Sequence, residues 1–234
     1  MHDPILRDLQ DYGVALWKAA VRPGALGRVR TSAEEAFTRV SSTDPAPQGF
    51  TPFSWSLRVE AIPAHEELLA QLSCLQPVFD QAMAAPVRCN LNESWVRKRF
   101  APAHAPRHYQ PNRWHQDGGL GVAYSSDPAT PLAMTRLLTC WVPLDDCGRD
   151  RPGLELVRHR LDALQHYSQL DDRLLRQRFA ADRFWIPELR AGDALVFLDG
   201  CLHRTHADPG MEHDRFSIEY RFFPMSSPPV TMES

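Results

Sequence analysis

Residues 112–119 read NRWHQDGG, which places an imidazole and a carboxylate two positions apart. On an extended strand, side chains two residues apart point to the same side, so His115 and Asp117 can reach one metal ion while Gln116 turns away. A histidine from a distant strand would complete a set of two histidines and one carboxylate. Such a set occupies one face of an octahedron and leaves positions open, which is typical of non-haem Fe(II) oxygenases.

Length and composition fit one globular domain with a substantial core. The chain has 234 residues, of which 43% are hydrophobic and 24% are charged, and these are ordinary values for such a domain. Its net charge of −3 provides no broad basic field, so we expect no nucleic-acid partner. The five cysteines include no Cys-x-x-Cys pair, which fits reduced thiols.

The sequence also shows no sign of a membrane or secretory protein. No apolar run is long enough to span a bilayer. The first residues lack the basic segment and the following apolar segment of a signal peptide. We therefore expect a cytoplasmic protein with no membrane partner.

Helix signals come first along the chain and strand signals come later. Apolar residues recur at helical spacing between Pro23 and Val40 and between His65 and Ala84, and Pro77 should interrupt the second helix. Strand signals begin at Val87. We predict a single α+β domain over residues 1–234 that is mainly β. It has a helical part over about 1–85, a β core over about 87–224 and a disordered tail after 224.

Strong strand signals follow the His-x-Asp stretch. They cover residues 133–144, 152–157, 184–189, 194–198 and 214–223. The last one alternates strictly, with polar residues on one side and apolar residues on the other: Arg215, Ser217, Glu219 and Arg221 against Phe216, Ile218, Tyr220 and Phe222. Residues 161–178 are polar and partly helical, and we interpret them as an excursion packed outside the sheet.

The order of these motifs resembles the phytanoyl-CoA dioxygenase-like family of Fe(II)/2-oxoglutarate oxygenases. The resemblance rests on the His-x-Asp triplet, a distal histidine and Arg215-Phe216-Ser217, together with three flanking segments: 11–14, 138–146 and 192–197. It implies a double-stranded β-helix, the jelly roll of the cupin type, flanked by N-terminal helices. Residues 151–160 keep only half of the family's pattern there, which leaves the geometry of that loop open.

By this resemblance, His115, Asp117 and one later histidine bind Fe(II). Two candidates exist for the later ligand, His203 and His206. His203 directly follows a buried strand and lies twelve residues before Arg215, close to the family pattern, whereas His206 lies nine residues before it. We therefore prefer His203.

The resemblance also assigns Arg215 to the cosubstrate 2-oxoglutarate. This molecule chelates iron through its 2-oxo group and its C1 carboxylate, so its far carboxylate needs a separate holder. A guanidinium group binds a carboxylate through two parallel hydrogen bonds. Ser217, on the same strand face, and Thr205 can add hydroxyl donors. The resemblance also implies dioxygen as a reactant, beside 2-oxoglutarate and the substrate.

A small-molecule substrate is expected near these groups. Basic side chains favour a substrate with a carboxylate or a phosphate, and aromatic ones can form the pocket wall; the candidates are Arg97, Arg99, Arg113, Arg136, Trp114 and Tyr124. Two alternatives stay open. The arginine face at residues 97–99 also fits a solvated outer face of the sheet, and Trp114 also fits a role in core packing.

The predicted function is hydroxylation of an aliphatic C–H bond of a small molecule, with release of succinate and CO2. Desaturation, cyclisation and epimerisation use the same ligands, and the sequence does not separate them. A second hypothesis is a cupin-type metalloprotein without 2-oxoglutarate, such as an isomerase or another dioxygenase. A third is a non-catalytic binding protein on the same fold. The presence of all three candidate ligands and of Arg215 speaks against the third.

Overall fold

The computed structural model describes residues 3–41, 49–105 and 113–226. Its N-terminal part contains four helices: α1 (Asp3–Tyr12), α2 (Pro23–Ser41), α3 (His65–Leu72) and α4 (Gln76–Met83). The two predicted helical regions are therefore confirmed, and the second divides before Pro77. This proline lies in the first turn of α4, where its missing N–H would have no partner in any case. The tail predicted to be disordered lies mostly outside the described residues.

Strands dominate the rest of the described chain. They are β1 (Val14–Trp17), β2 (Ser54–Arg58), β3 (Val87–Arg99), β4 (Leu138–Pro143), β5 (Gly153–Val157), β6 (Phe184–Trp185), β7 (Ala194–Leu198), β8 (His203–His206) and β9 (Arg215–Pro224). A short helix, α5 (Asp172–Arg178), lies between β5 and β6. The strand signals that begin at Val87 correspond to one long strand, β3, which has a bulge between Asn90 and Trp95. The sequence gives no strand signal for β2, which falls in the part predicted to be helical.

The strands form two antiparallel sheets that pack against each other. The larger sheet has the order β1-β7-β4-β9-β3-β2, and the smaller one has the order β6-β5-β8. An apolar cluster fills part of the space between them and joins residues of both: Trp141, Leu195 and Phe197 of the large sheet with Leu154 and Leu156 of the small sheet. This mainly β core flanked by helices is the predicted fold class.

The two faces of the large sheet have different partners. One face packs against the N-terminal helices in the main core, and β9 contributes Phe216, Ile218, Tyr220 and Phe222 to it. Tyr220 also donates its hydroxyl to the His65 carbonyl of α3 at 2.8 Å. The other face of β9 carries the polar residues and looks toward the small sheet. The strict alternation of β9 therefore places charged side chains between the sheets.

Residues 158–183 leave the small sheet between β5 and β6, as the predicted excursion. Leu175 and Phe179 anchor this segment in a small apolar cluster with Trp114, Val157 and Leu202. Burial of an aliphatic or aromatic side chain of this size contributes about 1.5–3 kcal/mol. Within the described ranges, no helix combines the length and the apolar character needed to cross a bilayer.

Gly200 marks a close contact between the excursion and the segment that precedes β8. A Cβ atom at Gly200 would collide with the carbonyl group of Leu161. We expect Gly200→Ala to lower the free energy of unfolding by about 1–3 kcal/mol, because a backbone atom must move to make room. Urea denaturation measures this loss. Gly210→Ala is the matched control, since a Cβ there meets nothing within 4 Å; equal losses in both variants would contradict the prediction.

Candidate metal centre

Three candidate metal ligands meet between the two sheets. One ligand-type atom from each of His115, Asp117 and His203 lies within 4.8 Å of the others. The Oδ1 atom of Asp117 is 3.8 Å from Nε2 of His203. The backbones of the two histidines are paired, because each N–H donates to the carbonyl of the other at 3.0 Å. Sequence-distant side chains are thus brought together by backbone pairing.

Backbone carbonyls orient both imidazole rings. Nδ1 of His115 lies 2.8 Å from the Arg113 carbonyl oxygen, and Nδ1 of His203 lies 3.1 Å from the Cys201 carbonyl oxygen. Because a carbonyl only accepts, each Nδ1 must carry the hydrogen, which leaves the Nε2 lone pair for a metal. Burial, with the nearby His203, lowers the pKa of His115 to about 4, so its ring is neutral at neutral pH.

The carboxylate of Asp117 is buried and held at both oxygens. Its Oδ2 accepts a hydrogen bond from the Thr139 hydroxyl at 2.6 Å, and its Oδ1 accepts one from Arg221 at 3.2 Å. Burial would raise the pKa of the Asp117 carboxyl, but the Arg221 guanidinium, both imidazoles and Thr139 together hold this pKa well below its usual range. Asp117 is therefore an oriented, charged candidate ligand.

A row of alternating charges continues from Asp117 across the large sheet. Arg221 lies 3.5 Å from Glu219, and Glu219 accepts a hydrogen bond from Arg97 at 2.7 Å. Arg97 also donates to the Ser56 hydroxyl at 2.8 Å. Arg97, a predicted substrate residue, thus faces the interior, where Glu219 and Ser56 hold it.

The predicted cosubstrate residues lie on the same interior face. A cavity of about 50 Å³ adjoins the three candidate ligands, and Thr205, Arg99 and Arg215 also line it. Arg215 is only 2% exposed, and its guanidinium carbon lies 4.9 Å from the ring centre of Trp141. Ser217 is buried two residues further along β9, and its hydroxyl has no hydrogen bond within the described part of the chain. Basic and hydroxyl groups thus line the same cavity as the three candidate ligands.

A second, wider cavity opens on the other side of His115. Its volume is about 650 Å³, within the range of about 300–1,000 Å³ that is usual for small-molecule sites. Three predicted substrate residues line it: Arg113, Trp114 and Tyr124. The excursion adds residues that sequence reasoning did not single out for the site, among them Tyr167, Asp171 and Asp172. The only sequence signal for them was an aromatic residue next to a dense run of charges.

Two residues considered for the site lie elsewhere. Arg136 donates to the Met83 carbonyl at 2.7 Å and lines a separate cavity, so the structure places it away from the candidate ligands. His206 has its Nε2 3.4 Å from Asp208 and is not part of the three-residue group. The structure therefore places His203, and not His206, beside His115 and Asp117.

Ion pairs fix the excursion to the ligand-bearing segments. Trp114, which is buried as core packing would require, donates its indole N–H to Asp172 at 2.9 Å. Asp172 pairs with Arg204 at 3.0 Å. The buried Glu155 pairs with both Arg204 and Arg176, each at 2.7 Å. Since Trp114 and Arg204 directly adjoin His115 and His203 in sequence, the network ties the wide cavity to the metal centre.

The Thr139 hydroxyl offers a test of how Asp117 is oriented. Thr139→Val keeps the side-chain shape but removes the donor at 2.6 Å. We expect the affinity for Fe(II) to fall about 10–100-fold, the usual effect of removing a partner of a metal ligand. Calorimetric titration under anaerobic conditions measures this change. Thr38→Val on α2 is the control, because the Thr38 hydroxyl donates to the Glu34 carbonyl on an exposed helix face. Unchanged affinity in Thr139→Val would show that the hydroxyl does not orient the candidate ligand.

Solved structures with this architecture include several oxygenases. EctD from S. alaskensis with bound Fe is 13% identical, and the match covers 94% of this chain and 76% of that one with a TM-score of 0.70. HygX from Streptomyces hygroscopicus, solved with nickel, 2-oxoglutarate and hygromycin B, is 17% identical, with coverages of 95% and 87% and a TM-score of 0.63. The α-ketoglutarate-dependent carbocyclase SnoK is also 17% identical, with coverages of 94% and 83% and a TM-score of 0.63. At these identities the likeness concerns the fold, and it confirms the predicted jelly roll.

Sequence comparison gives the family. No curated protein sequence matches the chain significantly. The model of the phytanoyl-CoA dioxygenase (PhyH) family matches residues 9–210, and this range contains all three candidate metal ligands and most of the described core. The chain therefore belongs to the phytanoyl-CoA dioxygenase family.

Proposed function

We propose that this protein is an Fe(II)- and 2-oxoglutarate-dependent dioxygenase that hydroxylates an aliphatic C–H bond of a small molecule. The observation that carries the proposal is the group His115, Asp117 and His203 beside the buried Arg215. Membership of the phytanoyl-CoA dioxygenase family supports it. So does the likeness in fold to HygX, which was solved with 2-oxoglutarate bound.

The donor set fits ferrous iron. Two imidazole Nε2 atoms and one carboxylate are the donor set that non-haem Fe(II) oxygenases use. Bound Fe(II) and 2-oxoglutarate supply the activation of dioxygen and the oxidising power, with succinate and CO2 as coproducts. The protein's part is to hold the ion through His115, Asp117 and His203 and to keep these ligands oriented through the Arg113 and Cys201 carbonyls and the Thr139 hydroxyl.

Arg215 is the proposed holder of the far carboxylate of 2-oxoglutarate. Its burial matters, because a charge-assisted hydrogen bond is stronger where water does not compete. Ser217 and Thr205 are proposed to add hydroxyl donors on the same side. The buried Ser217 hydroxyl, without a hydrogen bond in the described part of the chain, supports this role.

The substrate is proposed to enter through the wide cavity next to His115. Arg113 is exposed there and makes no ion pair with a described residue, so it suits a carboxylate or a phosphate on the substrate. Arg97 is held by Glu219 and Arg136 faces another cavity. Of these three predicted arginines, Arg113 is therefore the one that fits a substrate contact.

Anaerobic titration tests the cofactor assignment. If the metal and 2-oxoglutarate chelate as proposed, adding both to the protein produces a weak visible charge-transfer band, and adding O2 and substrate releases succinate. Metal binding without the band would favour a cupin-type metalloprotein that does not use 2-oxoglutarate. Folded protein that binds neither would favour a non-catalytic binding protein.

Product mass then tests the reaction. A gain of one oxygen atom supports hydroxylation, whereas a loss of two hydrogens or an unchanged mass indicates desaturation, cyclisation or epimerisation. This distinction matters because solved structures of similar fold include a carbocyclase and an epimerase.

A further inference from the structure

Two exposed tyrosines stand together at the wide cavity. Tyr124 is 36% exposed and Tyr167 is 61% exposed, and both line the cavity that opens beside His115. Their ring centres are 5.7 Å apart, and their planes meet at 74°. Exposed aromatic rings that are scattered singly over a surface need no explanation. A perpendicular pair at the mouth of a cavity is a formed feature that can bind a ligand.

A buried histidine holds the two tyrosines in place. His166 is 4% exposed, and its ring contacts both Tyr124 and Tyr167, at 5.8 Å and 4.1 Å between ring centres. Its Nε2 lies 2.9 Å from the Ser125 carbonyl oxygen, so this nitrogen donates. Its Nδ1 then accepts from the Ser168 hydroxyl at 2.7 Å. One tautomer satisfies both bonds and ties together the two loops that carry the tyrosines.

The charges around the cavity leave one cation, Arg113, beside these two rings for recognition of a ligand. Arg204 and Asp172 pair with each other, and Asp171 caps α5 by accepting from the N–H groups of Arg173 and Leu174. The formal charges of the four Arg and Asp residues that line the described part of the cavity cancel: Arg113, Arg204, Asp171 and Asp172. Arg113 is the charged group that is left for a substrate.

We propose that the wide cavity binds a small molecule that carries a planar ring, with Tyr124 and Tyr167 as the binding residues. Aromatic groups prefer offset-stacked or edge-to-face contacts. Two rings at 74° form a corner in which a flat ring can stack on one tyrosine and meet the other edge to face. An open chain or a puckered ring lacks a flat π face and therefore makes neither of these aromatic–aromatic contacts. This inference rests on the proposed function, because the reacting carbon has to reach the space beside His115.

Three carboxylates with eight carbons each provide the probes: 4-methylbenzoate, 4-methylcyclohexanecarboxylate and octanoate. Each offers the same anion to Arg113, and only the first has a planar ring. Calorimetric titration into anaerobic enzyme loaded with Fe(II) and 2-oxoglutarate gives their dissociation constants. We expect 4-methylbenzoate to bind at least about fivefold more tightly than the other two, since each of its two aromatic contacts contributes at least about 0.5 kcal/mol beyond area burial and about 1 kcal/mol in all corresponds to about fivefold. Absence of this preference, or of any binding of 4-methylbenzoate, overturns the proposal.

Substitutions locate the effect. Tyr167→Ala should remove the preference for the planar ring, and Tyr167→Phe should retain it. Leu174→Ala is the matched control, because Leu174 is 40% exposed on the same excursion and does not line the cavity. A preference that survives Tyr167→Ala would refute the assignment. The charge-transfer band should persist in every variant. Its absence from the unmodified enzyme would count against the proposed function. Failure of the planar-ring proposal and failure of the proposed function are therefore distinguishable.

Discussion

Asp117→Ala is expected to abolish Fe(II) binding and turnover while the protein stays folded. Removing a partner of a metal ligand already costs about 10–100-fold in affinity, so loss of the ligand itself should exceed that range. The carboxylate is also the one anion among the three candidate ligands. Anaerobic calorimetry for Fe(II) and succinate release measure the two effects.

The stability of Asp117→Ala should fall only moderately. A buried charge that loses its partner is costly, but Arg221 keeps Glu219 at 3.5 Å. We therefore expect a loss of about 1–3 kcal/mol in the free energy of unfolding of the metal-free protein. Asp162→Ala is the control, because the Asp162 side chain is 80% exposed. If Asp117→Ala binds Fe(II) as tightly as this control, Asp117 is not a ligand.

Arg215→Ala is expected to raise the dissociation constant of 2-oxoglutarate about 10–150-fold. A charge-assisted hydrogen bond contributes about 1.5–3 kcal/mol, and every 1.4 kcal/mol corresponds to about a factor of ten. The affinity of this variant for Fe(II) alone should stay within about threefold of that of the unmodified protein. The reason is that Arg215 is proposed to hold the far end of the cosubstrate and not the metal. The intensity of the charge-transfer band against 2-oxoglutarate concentration gives the constant.

Two further variants make this result specific. Arg215→Lys should recover part of the affinity, since lysine keeps the charge but loses the planar fork. Arg136→Ala removes an arginine whose contact is the Met83 carbonyl and should leave the constant unchanged. Equal affinities for 2-oxoglutarate in Arg215→Ala and Arg136→Ala would falsify the assignment of the cosubstrate.

The central site was predictable because its pattern is local. A spacing of two along extended backbone predicts that His115 and Asp117 share one side; the structure has a single β-bridge at His115 and a short 3-10 helix from Asp117 instead of a strand, and still brings the two side chains together. The alternation of β9 puts Arg215 and Ser217 on its polar face. The structure brings His115, Asp117 and Arg215 to one cavity, and their roles in metal and cosubstrate binding stay predictions. By the family resemblance, the spacing to Arg215 favours His203 over His206, and the pairing of the His115 and His203 backbones places His203 beside His115.

Contacts between distant segments were not predictable. The sequence placed Arg221 and Glu219 on the right face of β9, but nothing local indicated that Arg221 would bind Asp117. Strand β2 was missed because five residues with two serines carry little strand signal. The sequence predicts that Tyr167 and Asp172 belong to an excursion outside the sheet. It does not predict that they line a cavity, because hydrophobic periodicity does not report which loop folds back over a site.

The attachment of residues 158–183 lets substrate preference change separately from the metal centre. The candidate ligands His115 and His203 lie on backbone segments that pair with each other beside the small sheet, whereas the contiguous excursion supplies one wall of the wide cavity. Replacing the excursion while keeping the ion pairs of Glu155 and the close contact at Gly200 would give the same iron-binding scaffold a differently lined substrate cavity. Grafting the equivalent segment from another enzyme of this architecture should therefore transfer substrate preference and leave uncoupled consumption of 2-oxoglutarate intact.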